Sequence, residues 1–360
     1  MKIIIDAREY GASTGTYHRN LIESLQKIDF KNKYIILLKS EDFKKCEIKN
    51  PNFTKLKCDV KEFTFAEQIK LPIMLYKLKA DLVHFGMTHQ PFLYFKKKVT
   101  TVHDLTTLRF VNPSKNYFVF KLKQLIYWFM LHWVVLTNKA IFTPTKFVKD
   151  DLIKFNKLAK NKTSVTYEGA DAQDEKPEVY KALDGQDFIM FIGRPLPHKN
   201  LRRLIDAFSI LKKSHPKLKL VLAGKKDALM QKNLDYANSR GIKDLILTGW
   251  VTQGQKVWMF KNCKAYVFPS LSEGFGLPGL EAFAFGAPVV SSNATCLPEV
   301  LGNGAHYFEP TDINDIATKI NDVLKSEKLK LSLTKNGKSQ LKKYSWDKMA
   351  KETLAKYPSS

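Results

Sequence analysis

Short apolar runs separated by amphipathic helical stretches recur along all 360 residues, and this alternation constrains the fold more than any single motif. The runs lie at residues 2–5, 34–38, 82–85, 99–102 and 140–143 in the first half. In the second half they lie at 188–192, 218–223, 245–248, 265–268 and 288–291. Continuous apolar runs of this length suit strands buried on both faces. Parallel strands need a long crossover between them, usually a helix. The alternation therefore predicts an α/β chain with parallel sheets covered by helices. A polar, turn-rich segment at 168–187 (Gly-Ala-Asp, Asp-Glu-Lys-Pro, Asp-Gly) reads as a linker. It divides the chain into two doubly wound, Rossmann-like domains of similar size, 1–170 and 171–344. Two such sheets with their carboxyl edges facing each other would enclose a central cleft.

Composition narrows the function classes. Hydrophobic residues make up 44% of the chain and aromatics 12%, which excludes general disorder. The four cysteines, Cys46, Cys58, Cys263 and Cys296, show no short paired spacing, so neither a zinc site nor a disulfide framework is suggested, and a reducing cytoplasm fits. Residues 1–6 are too short for a signal peptide and read as a first buried strand. The net charge is +24, of which +15 falls in residues 1–170 and +9 in 171–360. Such a field attracts nucleic acid, anionic lipid or phosphorylated substrates. The basic residues are scattered and no nucleic-acid-binding motif appears, so nucleic acid is not the expected partner.

The richest local signal is residues 267–282, Val-Phe-Pro-Ser-Leu-Ser-Glu-Gly-Phe-Gly-Leu-Pro-Gly-Leu-Glu-Ala. Glu273 and Glu281 bracket a glycine-rich turn between an apolar run and a helix start. A helix N-terminus attracts anions because its first N–H groups lack partners and its dipole adds positive charge. Upstream, Gly193-Arg194 and Lys199 follow the run at 188–192 and precede a helical pattern at 201–211. Arginine offers a bidentate fork and lysine a mobile charge to a diphosphate. Solvated surface cations would look the same singly. The runs ending at Gly224-Lys225 and Gly249-Trp250-Val251 repeat the arrangement. In the first half, His103 follows a strand, where imidazole could bond a sugar hydroxyl or be structural. The Gly11–Gly15 loop follows the first strand without the spacing of a dinucleotide fingerprint.

These residues together resemble the retaining GT-B glycosyltransferases of the large bacterial group 1 type, family four. The matching pieces are Ile5-Asp-Ala-Arg8 with the Gly11–Gly15 loop, His103-Asp-Leu, Gly193-Arg with Lys199-Asn200, Ala223-Gly, Gly249-Trp-Val, Pro269-Ser, the paired glutamates and Gly286-Ala-Pro-Val-Val. The resemblance implies that Arg194 and Lys199 bind the donor diphosphate and stabilise its developing charge. It implies that Glu273 holds donor-sugar hydroxyls and that Gly274, Phe275, Gly276 and Leu277 offer backbone N–H groups. Glu281 would accept from the ribose, Val251 border the base, and Gly193 lie beside the donor. His103 would sit near the reacting sugar, and Gly15 and Thr16 near the phosphates and acceptor. The family often has a second glycine after Gly15; here Thr16 stands in its place. The resemblance further implies retention, by front-face attack, without a metal or cofactor. It implies a C-terminal helix at about 345–360 that packs back toward the first domain.

The expected activity is transfer of a hexose from a nucleotide-diphosphate sugar, GDP-mannose or a UDP-hexose, to a glycan or lipid-linked acceptor in envelope polysaccharide or glycolipid synthesis. The alternatives are a basic nucleic-acid binder and a non-catalytic sugar-nucleotide binder on the same scaffold. Residues 117–136 are unusually aromatic and carry an uncharged run at 124–136, too short to span a bilayer and rimmed by Lys115, Lys121 and Lys123. That pattern fits burial against the first sheet and an interfacial helix, and one helix can show a different face to each. An anionic membrane surface is thus an expected partner, with the protein cytoplasmic or peripheral on the inner face of the cytoplasmic membrane.

Overall fold

The computed structural model describes residues 1–12, 14–111, 116–170 and 175–358. It divides into two compact units. The first comprises Met1–Arg109, Lys121–Gly169 and Tyr344–Ser360; the second comprises Phe110–Phe120 and Ala170–Lys343. Lys115 and residues 171–174 of the expected linker lie outside the described residues.

The first unit is built on seven strands: β1 (Lys2–Asp6), β2 (Lys33–Leu38), β3 (Phe53–Lys57), β4 (Leu82–Phe85), β5 (Lys98–Thr101), β6 (Ala140–Thr143) and β7 (Thr163–Val165). They pair in the order β3-β2-β1-β4-β5-β6-β7, all parallel. The second unit has six: β8 (Phe188–Ile192), β9 (Lys219–Ala223), β10 (Leu245–Gly249), β11 (Ala265–Phe268), β12 (Val289–Ser292) and β13 (Ala305–Phe308). Their order is β10-β9-β8-β11-β12-β13, again parallel. Both orders are doubly wound: the chain runs to one edge, returns to the centre and then runs to the other.

Ten strands fall where the apolar runs predict them. The other three, β3, β7 and β13, all lie at sheet edges. An edge strand has a neighbour on one side only and tolerates polar and charged residues. Phe53-Thr-Lys-Leu-Lys and Thr163-Ser-Val accordingly show no continuous apolar run.

In the second unit the sheet buries Ile189, Leu220, Leu222 and Val267 against Leu204, Ile205 and Phe208 of the helix Leu201–Leu211 and against Ile316 and Ile320 of Ile313–Lys325. In the first, Leu131, Val134 and Val135 of the helix Tyr117–Thr137 pack with Val102, Ile141, Val148 and Leu152. The last helix, Trp346–Ala355, is started by the Ser345 side chain, which accepts from the Lys348 N–H, and it packs against Thr16–Ile28. Just beyond it the Tyr357 hydroxyl shares a 2.7 Å hydrogen bond with His84 Nδ1 at the centre of the first sheet.

Candidate functional site

Strand order reverses in the second unit between β8 and β11, and ligands of open parallel sheets bind at the carboxyl ends beside such a reversal. The two loops that leave these strands carry the predicted donor residues. After β8, Gly193 adopts φ +148° and Arg194 is exposed. A short turn, Pro197–Lys199, follows, and Asn200 at φ +59° starts the next helix. The Asn200 amide donates to the carbonyls of Pro269 (3.1 Å) and Pro310 (2.7 Å), while the Leu271 N–H donates to the His198 carbonyl at 2.7 Å. These bonds fasten the β8 loop to the β11 loop and to the chain just after β13.

Across that seam Lys199 Nζ lies 2.5 Å from Glu273 Oε1, with 18% and 12% of the side chains exposed. The Glu273 N–H donates to Thr295 Oγ1 at 3.1 Å, and Cys296 Sγ donates to the carbonyls of Glu273 and Phe275. Gly276 then adopts φ +100°, and a side chain there would also sit 3.0 Å from Leu297 and 3.3 Å from the Phe268 ring. Only glycine makes this turn without strain. It delivers the chain into the helix Leu277–Ala284, whose first turn presents its amino end beside Gly274 and Phe275. Glu281 lies one turn further on, 32% exposed, and pairs with Lys256 Nζ at 2.7 Å. Lys256 comes from the helix Gln253–Asn262, which a Thr252–Gln255 capping box starts directly after Val251. One small region of the second unit therefore gathers Lys199 and the segment from Glu273 to Leu277, with Gly193 and Arg194 earlier in the same β8 loop, Glu281 one turn along the following helix and Val251 just before the helix that carries Lys256.

Sequence reasoning missed Lys256, Thr295 and Cys296. Thr295, at φ +55°, is a strained position for a β-branched residue and holds the glutamate loop from behind. No local pattern marks any of the three, because each meets its partner through a distant stretch of chain.

The first unit reverses between β1 and β4. After β1, the fully buried Arg8 binds Asp6 through two bonds of 2.8 and 2.7 Å and Glu67 at 2.7 Å. Burial alone would raise the Asp6 pKa, but the Arg8 guanidinium outweighs it and holds the carboxyl below its usual range. In the loop, the Gly11 N–H donates to Asp42 at 3.0 Å. Gly15 precedes the helix Thr16–Ile28, and a side chain there would come within 2.2 Å of the Tyr10 carbonyl. The Thr16 hydroxyl accepts from Arg19 at 2.8 Å. His103 has both ring nitrogens on oxygen acceptors: Nδ1 on Glu168 at 3.1 Å and Nε2 on the Gly86 carbonyl at 2.9 Å. Burial opposes its charge, but the Glu168 carboxylate prevails and raises its pKa. The Asp6 carboxylate favours charge on neighbouring His18 too weakly to offset burial, and the His84 ring nitrogens meet the Tyr357 and Thr101 hydroxyls. Burial, with the nearby histidines, pushes both down to about 3.

Residues 172–340 match the family model described as Glycosyl transferases group 1. The chain is 32% identical over 220 residues to the serotype-specific mannosyltransferase WbdA of Escherichia coli, covering 58% of this chain and 27% of WbdA. It thus spans about a quarter of the length of that relative. It is 29% identical over 291 residues to the Escherichia coli O-antigen chain mannosyltransferase B, covering 75% of this chain and 73% of the relative. Among solved structures, sucrose-phosphate synthase from Thermosynechococcus elongatus superposes with a TM-score of 0.76 at 16% identity over 99% of this chain and 98% of that one. Anabaena HepE in complex with UDP and glucose gives 0.74 at 15% identity, covering 99% and 98%. The unit that carries the paired glutamates, residues 172–340, thus matches the group 1 glycosyltransferase family, and the two parallel sheets have the GT-B fold of the solved structures.

Proposed function

We propose that the protein transfers a hexose, with retention at the anomeric carbon, from a nucleotide-diphosphate sugar to a glycan or lipid-linked acceptor in cell-envelope polysaccharide or glycolipid synthesis. GDP-mannose is the first candidate donor, since WbdA and O-antigen chain mannosyltransferase B are named as mannosyltransferases; a UDP-hexose is second. The observation that carries this reading is the Lys199–Glu273 pair at the strand reversal. A diphosphate arriving there draws Lys199 off Glu273. That leaves a carboxylate free to accept sugar hydroxyls beside an ammonium that meets the phosphates. Arg194 adds a second cation, and the amide groups around Gly274 and Leu277 add donors. Negative charge grows on the leaving diphosphate as the sugar–oxygen bond breaks. Cations already in place there stabilise the transition state more than the ground state. Glu281 and Val251 are assigned to the ribose and base. Attack from the leaving-group face lets the departing phosphate oxygen take the acceptor proton and accounts for retention.

The test begins with binding. A ligand that binds only the folded protein raises its melting temperature, so GDP, UDP and ADP are compared at equal concentration. GDP should give the largest shift, and GDP-mannose should then support hydrolysis or transfer with an α product by NMR. A larger shift with UDP overturns the mannose donor. Full turnover by both Lys199→Ala and Glu273→Ala overturns the site.

A further inference from the structure

We infer that the first unit docks on an anionic lipid surface through one continuous apolar face made by the helix Phe65–Leu78, the segment 92–95 and the outer side of the helix Tyr117–Thr137. On the last of these, Leu122, Ile126, Phe129 and Leu136 are 59%, 46%, 53% and 54% exposed. Their spacing places them on one stripe, opposite the buried stripe of Leu131, Val134 and Val135. On Phe65–Leu78, Phe65, Ile69, Ile73 and Tyr76 form a second exposed stripe. The two stripes meet at segment 92–95. The Tyr76 hydroxyl donates to the Leu93 carbonyl and accepts from the Phe95 N–H, and the Phe95 ring stands edge-on to Trp133 at 6.0 Å. Leu93 and Phe95 are themselves exposed.

Charge around this face selects the occupant. The helix Tyr117–Thr137 carries no carboxylate, and the one on Phe65–Leu78, Glu67, is buried on Arg8. Exposed lysines flank the stripes instead: Lys121 and Lys123 on either side of Leu122, Lys70 and Lys77 beside Ile73, and Lys96 and Lys97 after Phe95. An apolar strip with a basic rim matches the acyl boundary and phosphate layer of an anionic leaflet. The geometry favours lying on the membrane over crossing it. The helix Tyr117–Thr137 is long and apolar enough to span, but its inner face is part of the core and 33% of its most apolar window is buried.

This inference is independent of the donor chemistry, because none of the residues on this face is among those assigned to the donor. The 360-residue chain is sedimented with vesicles of phosphatidylcholine, alone or with about a third phosphatidylglycerol. Affinity should be at least about tenfold higher for the anionic vesicles and should fall with added salt. Ile69→Glu with Phe129→Glu, both at exposed positions, should reduce it about tenfold or more with an unchanged circular dichroism spectrum. Glutamine at Lys70, Lys77, Lys96 and Lys123 should abolish the preference for phosphatidylglycerol. Leu331→Glu, which alters an exposed leucine of the second unit, should change nothing. Equal recovery with and without anionic lipid overturns the proposal. So does vesicle binding that survives the double glutamate variant. So does a wild-type dimer in solution that the same variant makes monomeric, since the face would then join two copies of the chain.

Discussion

The two units share one architecture, a doubly wound parallel sheet with a strand reversal, yet the charges at their reversals are handled in opposite ways. In the first, Arg8 is enclosed with Asp6 and Glu67, and the exposure of the three side chains is 5% or less. In the second, Lys199 and Glu273 remain 18% and 12% exposed, and Lys256 and Glu281 stay 16% and 32% exposed. An enclosed charge network cannot exchange partners without unfolding its surroundings, so it fixes geometry. A pair open to solvent can trade one partner for a ligand. The same fold therefore holds an enclosed network in one unit and solvent-accessible ion pairs in the other.

Breaking the enclosed network should have the largest effect. Arg8→Met leaves Asp6 and Glu67 facing each other without a cation, which should cost about 3–5 kcal/mol of stability. Hydrogen–deuterium exchange should show lost protection in the β1 and β4 peptides while β8 and β11 stay protected. Uniform loss over both units would mean that they do not unfold separately. The open pair should behave in the reverse sense. Lys199→Ala should lower turnover about 100- to 1,000-fold, the scale of one transition-state charge contact, with little change in thermal midpoint. A variant that loses stability but keeps its turnover would put Lys199 in the structural class with Arg8.

Much of this contrast was legible in the sequence, but unevenly. The nine strands inside the sheets and the edge strand β10 announce themselves as apolar runs, whereas the edge strands β3, β7 and β13 escape because an edge can do without such a run. The loop residues Gly193, Lys199, Glu273 and Gly276 are visible because glycine and charge recur at several strand ends, although each alone is ordinary. What each carboxylate touches is not visible. Glu67 meets Arg8 from 59 positions away, and Glu281 meets Lys256 from 25. His103 was legible as a strand-end histidine, but its grip on Glu168 depends on β5 and the chain after β7 meeting at one edge. The apolar run at 124–136 was visible too. Its split into an inner and an outer face becomes definite only when the core residues are known.

The Lys256–Glu281 pair sharpens the comparison because it is the more open of the two in the second unit. Glu281→Gln keeps the shape and removes the charge, leaving Lys256 to compete for the same ligand oxygens. The expected change is about tenfold weaker nucleotide binding, or about 1.4 kcal/mol, with kcat altered much less. Isothermal titration with GDP measures the first and steady-state assays the second. An equal fall in kcat at unchanged affinity would move Glu281 from holding the nucleotide to stabilising the transition state.

The histidines of the first unit give the smallest expected effect and test enclosure without touching the ion network. His84 is fully buried, with its ring nitrogens on the Tyr357 and Thr101 hydroxyls, and its pKa is pushed down to about 3. In the unfolded chain it binds a proton near pH 6.5, so below that value the unfolded state gains protons that the folded state refuses. Its contribution is therefore present above pH 6.5 and is lost as pH falls toward 3. His103 runs the other way: its raised pKa gives a contribution present below the ordinary histidine value and lost as pH climbs through the folded one. His18 adds to the acid-side loss. Going from pH 7 to pH 5.5, His84 alone should withdraw about 1 kcal/mol. His84→Gln removes that titration, so its stability deficit relative to the wild type should shrink by about that amount over the same interval in urea unfolding. Parallel pH profiles for the two proteins would mean that the folded chain admits a proton at His84, and the first unit would then be less closed than its geometry says.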